Sequence, residues 1–261
     1  MTPGMKGLYK RPFRVVFRLI WLAGEISLAM LDFVVNVMFQ RQMPLAKARP
    51  LWLQHACRRV LRILSVDVKT RGPIPLKGLL VCNHLSYLDV LVISSIAPTV
   101  FISKSEVKRW PIFGWFARMS GTLFVERGRR ADVSRLNREL ARALDEGALV
   151  VLFPEGTSSD GSEVLPFKSS LLEPITRFDH QLTIGWISYT LADGRPGEDV
   201  CYWGEMTLMP HLVNLLSKRC VNATVAFTKY GKPVTCRKTL ARHLHSEVMR
   251  LKDSDSVSIT A

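Results

Sequence analysis

The sequence lacks the cysteine patterns of a disulfide framework or a structural zinc site. Its 261 residues hold five cysteines, an odd number scattered between Cys57 and Cys236, and contain no C-x-x-C pair. A small disulfide scaffold needs paired cysteines, and a zinc site needs clustered ligands. The pattern predicts a chain that works in a reducing compartment and binds no metal.

Several other signals are also missing. The chain has no internal repeat, no recognisable nucleic-acid motif and no G-x-S-x-G elbow of the kind that serine hydrolases carry. Its apolar N-terminal region is interrupted by Glu25 and Asp32 and offers no small-residue cleavage site. We therefore expect neither a nucleic-acid partner nor a signal peptide.

Acidic residues are scarce near the N-terminus. Residues 1–72 hold 13 Lys and Arg against three acids, whereas the remaining residues hold 23 against 19. The same N-terminal part is strongly apolar, with basic residues interleaved among long aliphatic side chains. A segment that is both basic and apolar favours an anionic membrane surface as its partner.

Residues 13–39 form an apolar segment long enough to reach across a bilayer. Its polar residues recur at spacings of four or seven and so share one helical stripe: Arg14, Arg18, Glu25, Asp32 and Asn36. Either a helix lying in the membrane interface or a spanning helix with its stripe against protein fits this pattern. We place the interfacial helix first, because charges near the middle of a span are costly. A break at 44–50 and a second amphipathic helix at 51–65 follow.

Strands and helices alternate from residue 66 onward. Apolar runs at 66–70, 79–82, 100–103, 122–126 and 148–153 predict strands, and helical patterns separate most of them. Further strands are expected at 182–189, 200–206 and 220–227, a helix opening at 167, and a basic helix at 235–251. This order predicts an α/β layered domain with a largely parallel sheet flanked by helices. The predicted organisation is an N-terminal membrane-associated helical pair (1–65), the α/β domain (66–251) and a polar tail (252–261).

The stretch NHLSYLD at 83–89 follows one predicted strand and carries a histidine and an aspartate five positions apart. On one continuous helix these side chains would lie about 140° apart and could not meet well. Ser86 and Asp89 match a capping box, which would leave His84 in the loop ahead of the helix. An Asp89 carboxylate that accepts from one ring N–H would leave the other ring nitrogen free as a base.

Three blocks in this order resemble the glycerolipid acyltransferase family, typified by 1-acylglycerol-3-phosphate acyltransferase. They are NHLSYLD at 83–89, GTLFVERG at 121–128 and FPEGTSS at 153–159, and each falls near the end of a predicted strand. Loops at the carboxyl ends of parallel strands are where such sheets place their sites. The resemblance covers residues 66–189, about half of the chain.

The resemblance implies transfer of an acyl group from a thioester, on coenzyme A or acyl carrier protein, to the free hydroxyl of a lysolipid. The first acceptor it suggests is 1-acylglycerol-3-phosphate, and no cofactor beyond the acyl donor is expected. His84 would be the general base and Asp89 would orient it. The acceptor-binding residues would be Arg127, Glu155 and Gly156, with Thr157 and Lys168 as additions. The expected location is membrane-associated, with the catalytic domain in the cytoplasm, at a bacterial inner membrane.

Two departures from the family pattern keep other acceptors open. The third block usually carries Arg where this chain has Ser158, and the expected fourth block at 182–189 lacks the usual central proline. The third block and the LPFKS that follows it also resemble the branch that acylates lyso-ornithine lipid, whose head group is an amino acid. More remote alternatives are a serine hydrolase using Ser158 or Ser159, and a non-catalytic membrane-binding protein.

Overall fold

The computed structural model describes residues 11–39, 43–126, 130–177, 180–232 and 236–259. Within these ranges seven strands form one sheet in the order β1-β7-β6-β2-β5-β3-β4. Every neighbouring pair is parallel except β6 and β7. The strands are β1 Val66–Arg71, β2 Gly78–Cys82, β3 Thr99–Lys104, β4 Leu123–Val125, β5 Leu149–Leu152, β6 Leu182–Thr190 and β7 Val221–Lys229. The predicted α/β layered architecture with a largely parallel sheet is confirmed.

Helices cover both faces of the sheet. The central strands β2 and β5 are buried throughout, which is why they read as continuous apolar runs. The helices are α1 Pro12–Asp32 with a π-helical continuation Phe33–Phe39, α2 Leu45–Leu64, α3 Leu88–Ile96, α4 Phe113–Met119, α5 Arg130–Asp145, α6 Ser169–Leu172, α7 Pro196–Asp199, α8 Leu208–Ser217 and α9 Arg237–Ile259. Short 3-10 turns occur at Ser105–Arg109 and Ile175–Arg177.

Two hydrophobic cores lie on opposite faces of the sheet. Alternation along β2 sends Leu80 and Cys82 into the core shared with α1, α2, α3 and α8. The intervening Leu79 and Val81 enter the core shared with α5 and α9. The N-terminal helices are thus part of the first core, and they pack on the same sheet that carries the predicted motifs.

The polar stripe of α1 faces the protein. Arg18 is buried and donates to the main-chain oxygens of Leu216 at 2.9 Å and Lys218 at 2.6 Å. Glu25 is buried against Arg59, with 2.5 Å between carboxylate and guanidinium. The opposite face leaves large apolar side chains open to the surroundings, among them Phe13, Phe17, Ile20, Trp21, Leu28 and Leu31. The helix therefore turns its charges inward and its apolar side outward.

Three local predictions differ from the structure. The second helix begins at Leu45 and runs through Pro50, where the missing N–H removes one helical hydrogen bond without ending the helix. The helix expected from residue 167 is only the four-residue α6, since Pro174 follows closely. Residues 200–206 form no strand; the N–H of Tyr202 donates instead to the Leu85 oxygen at 2.8 Å.

The polar C-terminus also differs from its prediction as a tail. Helix α9 continues beyond residue 251 to Ile259. One face of this extension packs on the sheet through Asp255, which is buried. Its carboxylate lies 2.8 Å from the Arg71 guanidinium and accepts from the Ser188 hydroxyl at 2.8 Å. Partners on the sheet therefore stabilise residues whose polarity alone predicted fraying.

Candidate active site

The NHLSYLD loop leaves the sheet through Asn83. The Asn83 side-chain amide donates to the Ile187 oxygen at 3.0 Å, and its oxygen accepts from the Ile187 N–H at 2.8 Å. The backbone of the chain leaves the sheet after β2, and the Asn83 side chain takes its place by bonding the main chain of β6. His84 is consequently held at the carboxyl edge of the sheet.

His84 and Asp89 are in direct contact. The His84 Nδ1 atom lies 2.8 Å from Asp89 Oδ2, and the imidazole is partly exposed while Asp89 is fully buried. The same Oδ2 accepts the main-chain N–H groups of Leu85 at 2.6 Å and Ser86 at 3.0 Å. The predicted hydrogen bond between the ring and the carboxylate is confirmed. It leaves His84 Nε2 without a hydrogen bond to any residue within the described ranges.

The capping box forms only in half. Asp89 reaches back to the Ser86 N–H as predicted, but α3 begins at Leu88 with Tyr87 before it, and the Ser86 hydroxyl caps nothing. That hydroxyl oxygen is buried and has no hydrogen-bond partner among the described residues. The expectation that Ser86 is the N-cap is therefore wrong. The Asp89 carboxylate accepts the N–H groups of the loop, so none of them is left to donate to the Ser86 hydroxyl oxygen.

The third block packs directly on the first. The His84 ring stacks on Phe153, with 4.2 Å between ring centroids and 13° between planes. The main chain of His84 is held on both sides: its N–H donates to Glu155 Oε1 at 3.0 Å, and its oxygen accepts from the Ser159 N–H at 3.0 Å. The loop after β5 thereby positions the imidazole.

Glu155 is a buried carboxyl that binds main chain. Besides the His84 N–H, it accepts the N–H of Leu165 at 3.3 Å. Burial raises the pKa of Glu155 to about 7, and the nearby charge of Asp89 adds to the rise, while the two N–H donors oppose it. The contacts of Glu155 are those of a residue that positions the loops. Its predicted contact with the acceptor remains a prediction.

The other predicted binding residues surround this loop. Gly156 has φ of 67°, a left-handed conformation that favours glycine, and its N–H donates to the Phe153 oxygen at 3.1 Å. Thr157 and Lys168 have exposed side chains, and the Lys168 N–H donates to Pro154. Arg127 lies outside the described residues, so its predicted anion contact stays a prediction.

Tyr189 is a contributor that the sequence interpretation missed. Its hydroxyl donates to Asp89 Oδ1 at 2.6 Å from the end of β6. Burial, followed by the Asp89 charge, raises the pKa of Tyr189 well above its ordinary value. A tyrosine at a buried position of an apolar strand needs a partner for its hydroxyl, and this was the available signal. The partner itself, 100 residues earlier, could not be read from the pattern.

Neither serine of the third block is arranged as a nucleophile. The Ser158 hydroxyl donates to the main-chain oxygen of Tyr202, and the Ser159 hydroxyl accepts from the Gly161 N–H at 3.4 Å. In the described part of the chain, the hydrogen bond of the His84 ring goes to Asp89 and to neither serine. A serine nucleophile activated by His84 therefore has no support in the geometry.

A cavity of about 540 Å³ is lined by two residues that contact Asp89, although neither His84 nor Asp89 lines it. Its lining includes Leu85, whose N–H donates to Asp89, and Tyr189, whose hydroxyl donates to the same carboxylate. The lining also includes Asp160, Arg195 and Glu198, so groups of both charges border it. Its volume is in the range of pockets that hold small ligands or parts of larger ones.

Comparison with known proteins gives this geometry a family. A family model described as Acyltransferase matches residues 65–185. The chain is also 38% identical over 218 residues to a lyso-ornithine lipid O-acyltransferase of Brucella abortus, covering 76% of this chain and 80% of that protein. The chain belongs to the acyltransferase family. The matched region of this acyltransferase contains the dyad and the loop after β5.

Two further relatives extend the comparison. A 1-acyl-sn-glycerol-3-phosphate acyltransferase of Neisseria meningitidis is 38% identical over 119 residues, covering 44% of this chain and 47% of that protein. The crystal structure of the 1-acyl-sn-glycerophosphate (LPA) acyltransferase PlsC from Thermotoga maritima matches with a TM-score of 0.62 at 20% identity. That match covers 94% of this acyltransferase and 98% of the other chain, so the likeness in fold includes the N-terminal helices.

Proposed function

We propose that this acyltransferase moves a fatty acyl group from a thioester to the free hydroxyl of a lysolipid, with His84 as general base. The observation that carries the proposal is the 2.8 Å contact between His84 Nδ1 and the buried Asp89 carboxylate. That contact assigns the ring proton to Nδ1 and leaves Nε2 as the basic nitrogen. An alcohol is a poor nucleophile and needs such a base within hydrogen-bond reach.

The proposed reaction proceeds through one tetrahedral intermediate. His84 Nε2 takes the proton of the acceptor hydroxyl as its oxygen attacks the thioester carbonyl. The intermediate then expels the thiolate as the ester forms, and the imidazolium gives the thiolate the proton that came from the acceptor hydroxyl. Asp89 stabilises the imidazolium and holds the ring in one orientation. Four hydrogen bonds on Asp89 support that role.

The developing oxyanion needs hydrogen-bond donors. The N–H groups of Leu85 and Ser86 are already committed to Asp89. The N–H groups of Thr157 and Ser158, by contrast, have no acceptor among the described residues. We place the oxyanion beside these two groups. Gly156→Ala should then lower kcat more than it raises KM, because its left-handed conformation directs the segment that follows.

We place lyso-ornithine lipid first as the acceptor and 1-acylglycerol-3-phosphate second. Four relatives named lyso-ornithine lipid O-acyltransferases align over 62% to 78% of this chain, against 44% for the Neisseria meningitidis 1-acyl-sn-glycerol-3-phosphate acyltransferase. Where the phosphate-acceptor pattern carries Arg, this chain has Ser158, whose hydroxyl is taken up by the Tyr202 oxygen. A cationic contact to a phosphomonoester is therefore absent at that position. The sequence interpretation had ranked these two acceptors in the opposite order.

We propose that the enzyme works at a membrane surface, with α1 and its π-helical continuation lying in the interface. Among the described residues, one helix, Pro12–Phe39, is long and apolar enough to cross a bilayer by length and composition. Its polar stripe packs against protein, and its outer face is apolar. A bilayer would cover that face and supply the lysolipid. Coenzyme A or acyl carrier protein would deliver the acyl group from the cytoplasmic side of an inner membrane.

An acceptor panel tests the proposal. Purified protein is incubated with a labelled acyl thioester and lyso-ornithine lipid, 1-acylglycerol-3-phosphate or another lysophospholipid, with each donor in turn. We expect labelled product, most efficiently from lyso-ornithine lipid. Preference for the phosphate acceptor would reverse our ranking and leave the chemistry intact, whereas label released only as free fatty acid would support a hydrolase instead.

A further inference from the structure

The segment between β3 and β4 presents a second apolar surface, separate from α1. Trp110, Ile112 and Trp115 are exposed by 38%, 44% and 54%, and we call these three residues the tryptophan patch. Soluble surfaces carry single exposed apolar side chains, but three large ones within six residues form a contiguous feature that calls for a partner. The exposed residues Arg109 and Arg118 lie within three positions of the patch in the sequence, so an apolar centre has basic residues near it.

The patch is held rigidly in its outward orientation. Ile112 has φ of 64°, a rare conformation for a β-branched residue, and the Phe113 N–H donates to the Pro111 oxygen at 2.7 Å to close a γ-turn around it. Any side chain at Gly114 would collide with the carbonyl oxygen of Lys108, so the two arms of the segment pack in close contact. A strained backbone that keeps apolar side chains in solvent is typical of a functional surface.

The patch is anchored to both the N-terminal helices and the catalytic loop. Phe116 stacks on Trp52 of α2 at 5.4 Å, and Trp52 contacts Phe33 at 5.0 Å, where the π-helical continuation of α1 begins. On the other side, Phe113 contacts Tyr87 of the NHLSYLD loop at 5.5 Å. Phe116 therefore ties the patch segment to the buried side of the N-terminal helices, and Phe113 ties it to the loop that carries His84.

We propose that the tryptophan patch is a second membrane contact, which inserts into the interface of an anionic bilayer beside the active-site loop. Tryptophan favours the level of the lipid head groups, and Lys and Arg around it are attracted by anionic lipid. The apolar centre of the patch favours a bilayer over an acidic protein partner, for which basic residues would be expected at the centre of the surface. The inference goes beyond the proposed chemistry, because lipid contact can be measured without turnover.

Quenching by brominated lipid tests the contact directly. Protein carrying His84→Ala and Trp21→Phe, the second change removing the exposed tryptophan of α1, is bound to vesicles of phosphatidylcholine and phosphatidylglycerol with brominated acyl chains, and tryptophan emission is recorded. We expect strong quenching in this parent and loss of the larger part of it in Trp110→Phe/Trp115→Phe. Trp203→Phe, at 40% exposure away from the segment, is the matched control and should retain it. Equal quenching in all three proteins would overturn the proposal.

A kinetic comparison separates a bilayer from a protein partner. With otherwise wild-type protein, Trp110→Gln/Trp115→Gln should raise KM for acceptor in vesicles and leave kcat in detergent micelles unchanged. Leu76→Gln, which alters a 74% exposed apolar residue before β2, should change neither. A defect confined to acyl carrier protein as donor, absent with coenzyme A and without lipid quenching, would overturn the membrane contact and assign the patch to the carrier protein.

Discussion

The carboxylate of Asp89 is fully buried and receives four hydrogen bonds, and their donors come from two distant parts of the chain. Three belong to the loop that precedes it, and the fourth is Tyr189 at the end of β6. The sequence predicted the local contact with His84, because both residues lie within seven positions. It could not predict Tyr189, since pairing between β2 and β6 is what brings that hydroxyl to the site.

Tyr189→Phe tests the support given to the dyad. The change removes the Tyr189 hydroxyl and leaves the buried Asp89 Oδ1 without that hydrogen bond. The loss of such a partner typically costs about 1 to 3 kcal/mol of stability. We expect the free energy of unfolding to fall by that order and kcat to fall while KM for the acceptor changes little. Tyr230→Phe, whose hydroxyl lies 3.3 Å from His243 beyond β7, is the control for stability and should leave kcat intact. A kcat unchanged by Tyr189→Phe would refute the support role.

Glu155→Gln tests the buried carboxyl that holds His84. Burial raises the pKa of Glu155 from 4.5 to about 7. The folded state therefore binds this proton more tightly than the unfolded state, and the free energy of unfolding falls as the pH rises between these two values. Through Glu155 alone the loss should be on the order of 3 kcal/mol. Denaturant titrations across this range should show a shallower decline in Glu155→Gln, and parallel declines would contradict the assignment.

At the scale of elements, the strands that were easiest to predict are those buried on both faces, such as β2 and β5. Their environment demands apolar side chains at every position, so the pattern and the structure agree. Residues 200–206 look strand-like for a different reason. Their apolar and aromatic side chains pack around the site, as in the 5.5 Å contact of Tyr202 with Tyr87, while the backbone pairs with the catalytic loop. A local pattern of apolar residues cannot tell a buried strand from a loop whose apolar side chains pack around a site.

Ser86→Ala tests the start of α3. A serine that caps a helix costs about 1 kcal/mol when replaced by alanine. Because the Ser86 hydroxyl is buried without a described partner, we expect Ser86→Ala to leave stability unchanged or to raise it. Ser94→Ala, in the same helix, removes a buried 3.1 Å bond to Thr99 and should destabilise the protein. A loss in Ser86→Ala as large as in Ser94→Ala would restore the N-cap interpretation.

For the whole molecule, the alternation of strands and helices was sufficient to predict the class of fold. The same alternation was insufficient to predict the outer parts of the fold, because these depend on contacts between distant segments. The antiparallel pairing of β6 with β7 and the docking of α1 and α2 into the sheet's first core are both of this kind. The same holds for the end of α9, where Asp255 has its partners on the sheet.

Asp255→Asn tests that docking. The change removes the charge that lies 2.8 Å from Arg71 and weakens the acceptor of Ser188. Because Asp255 is buried, we expect the free energy of unfolding to fall by about 1 to 3 kcal/mol. Asp253→Asn, at an exposed position two residues earlier, should have no measurable effect. Equal stability of the two variants would indicate that the end of the helix is not docked.

The most direct test of the account is acyl transfer by His84→Ala. Labelled acyl thioester and lysolipid are supplied to wild-type protein and to the variant, after circular dichroism and vesicle binding have established that both are folded and membrane-bound. General base catalysis contributes about 10²- to 10⁴-fold, so we expect a loss of at least that order in the variant. Transfer by His84→Ala at the wild-type rate would contradict it.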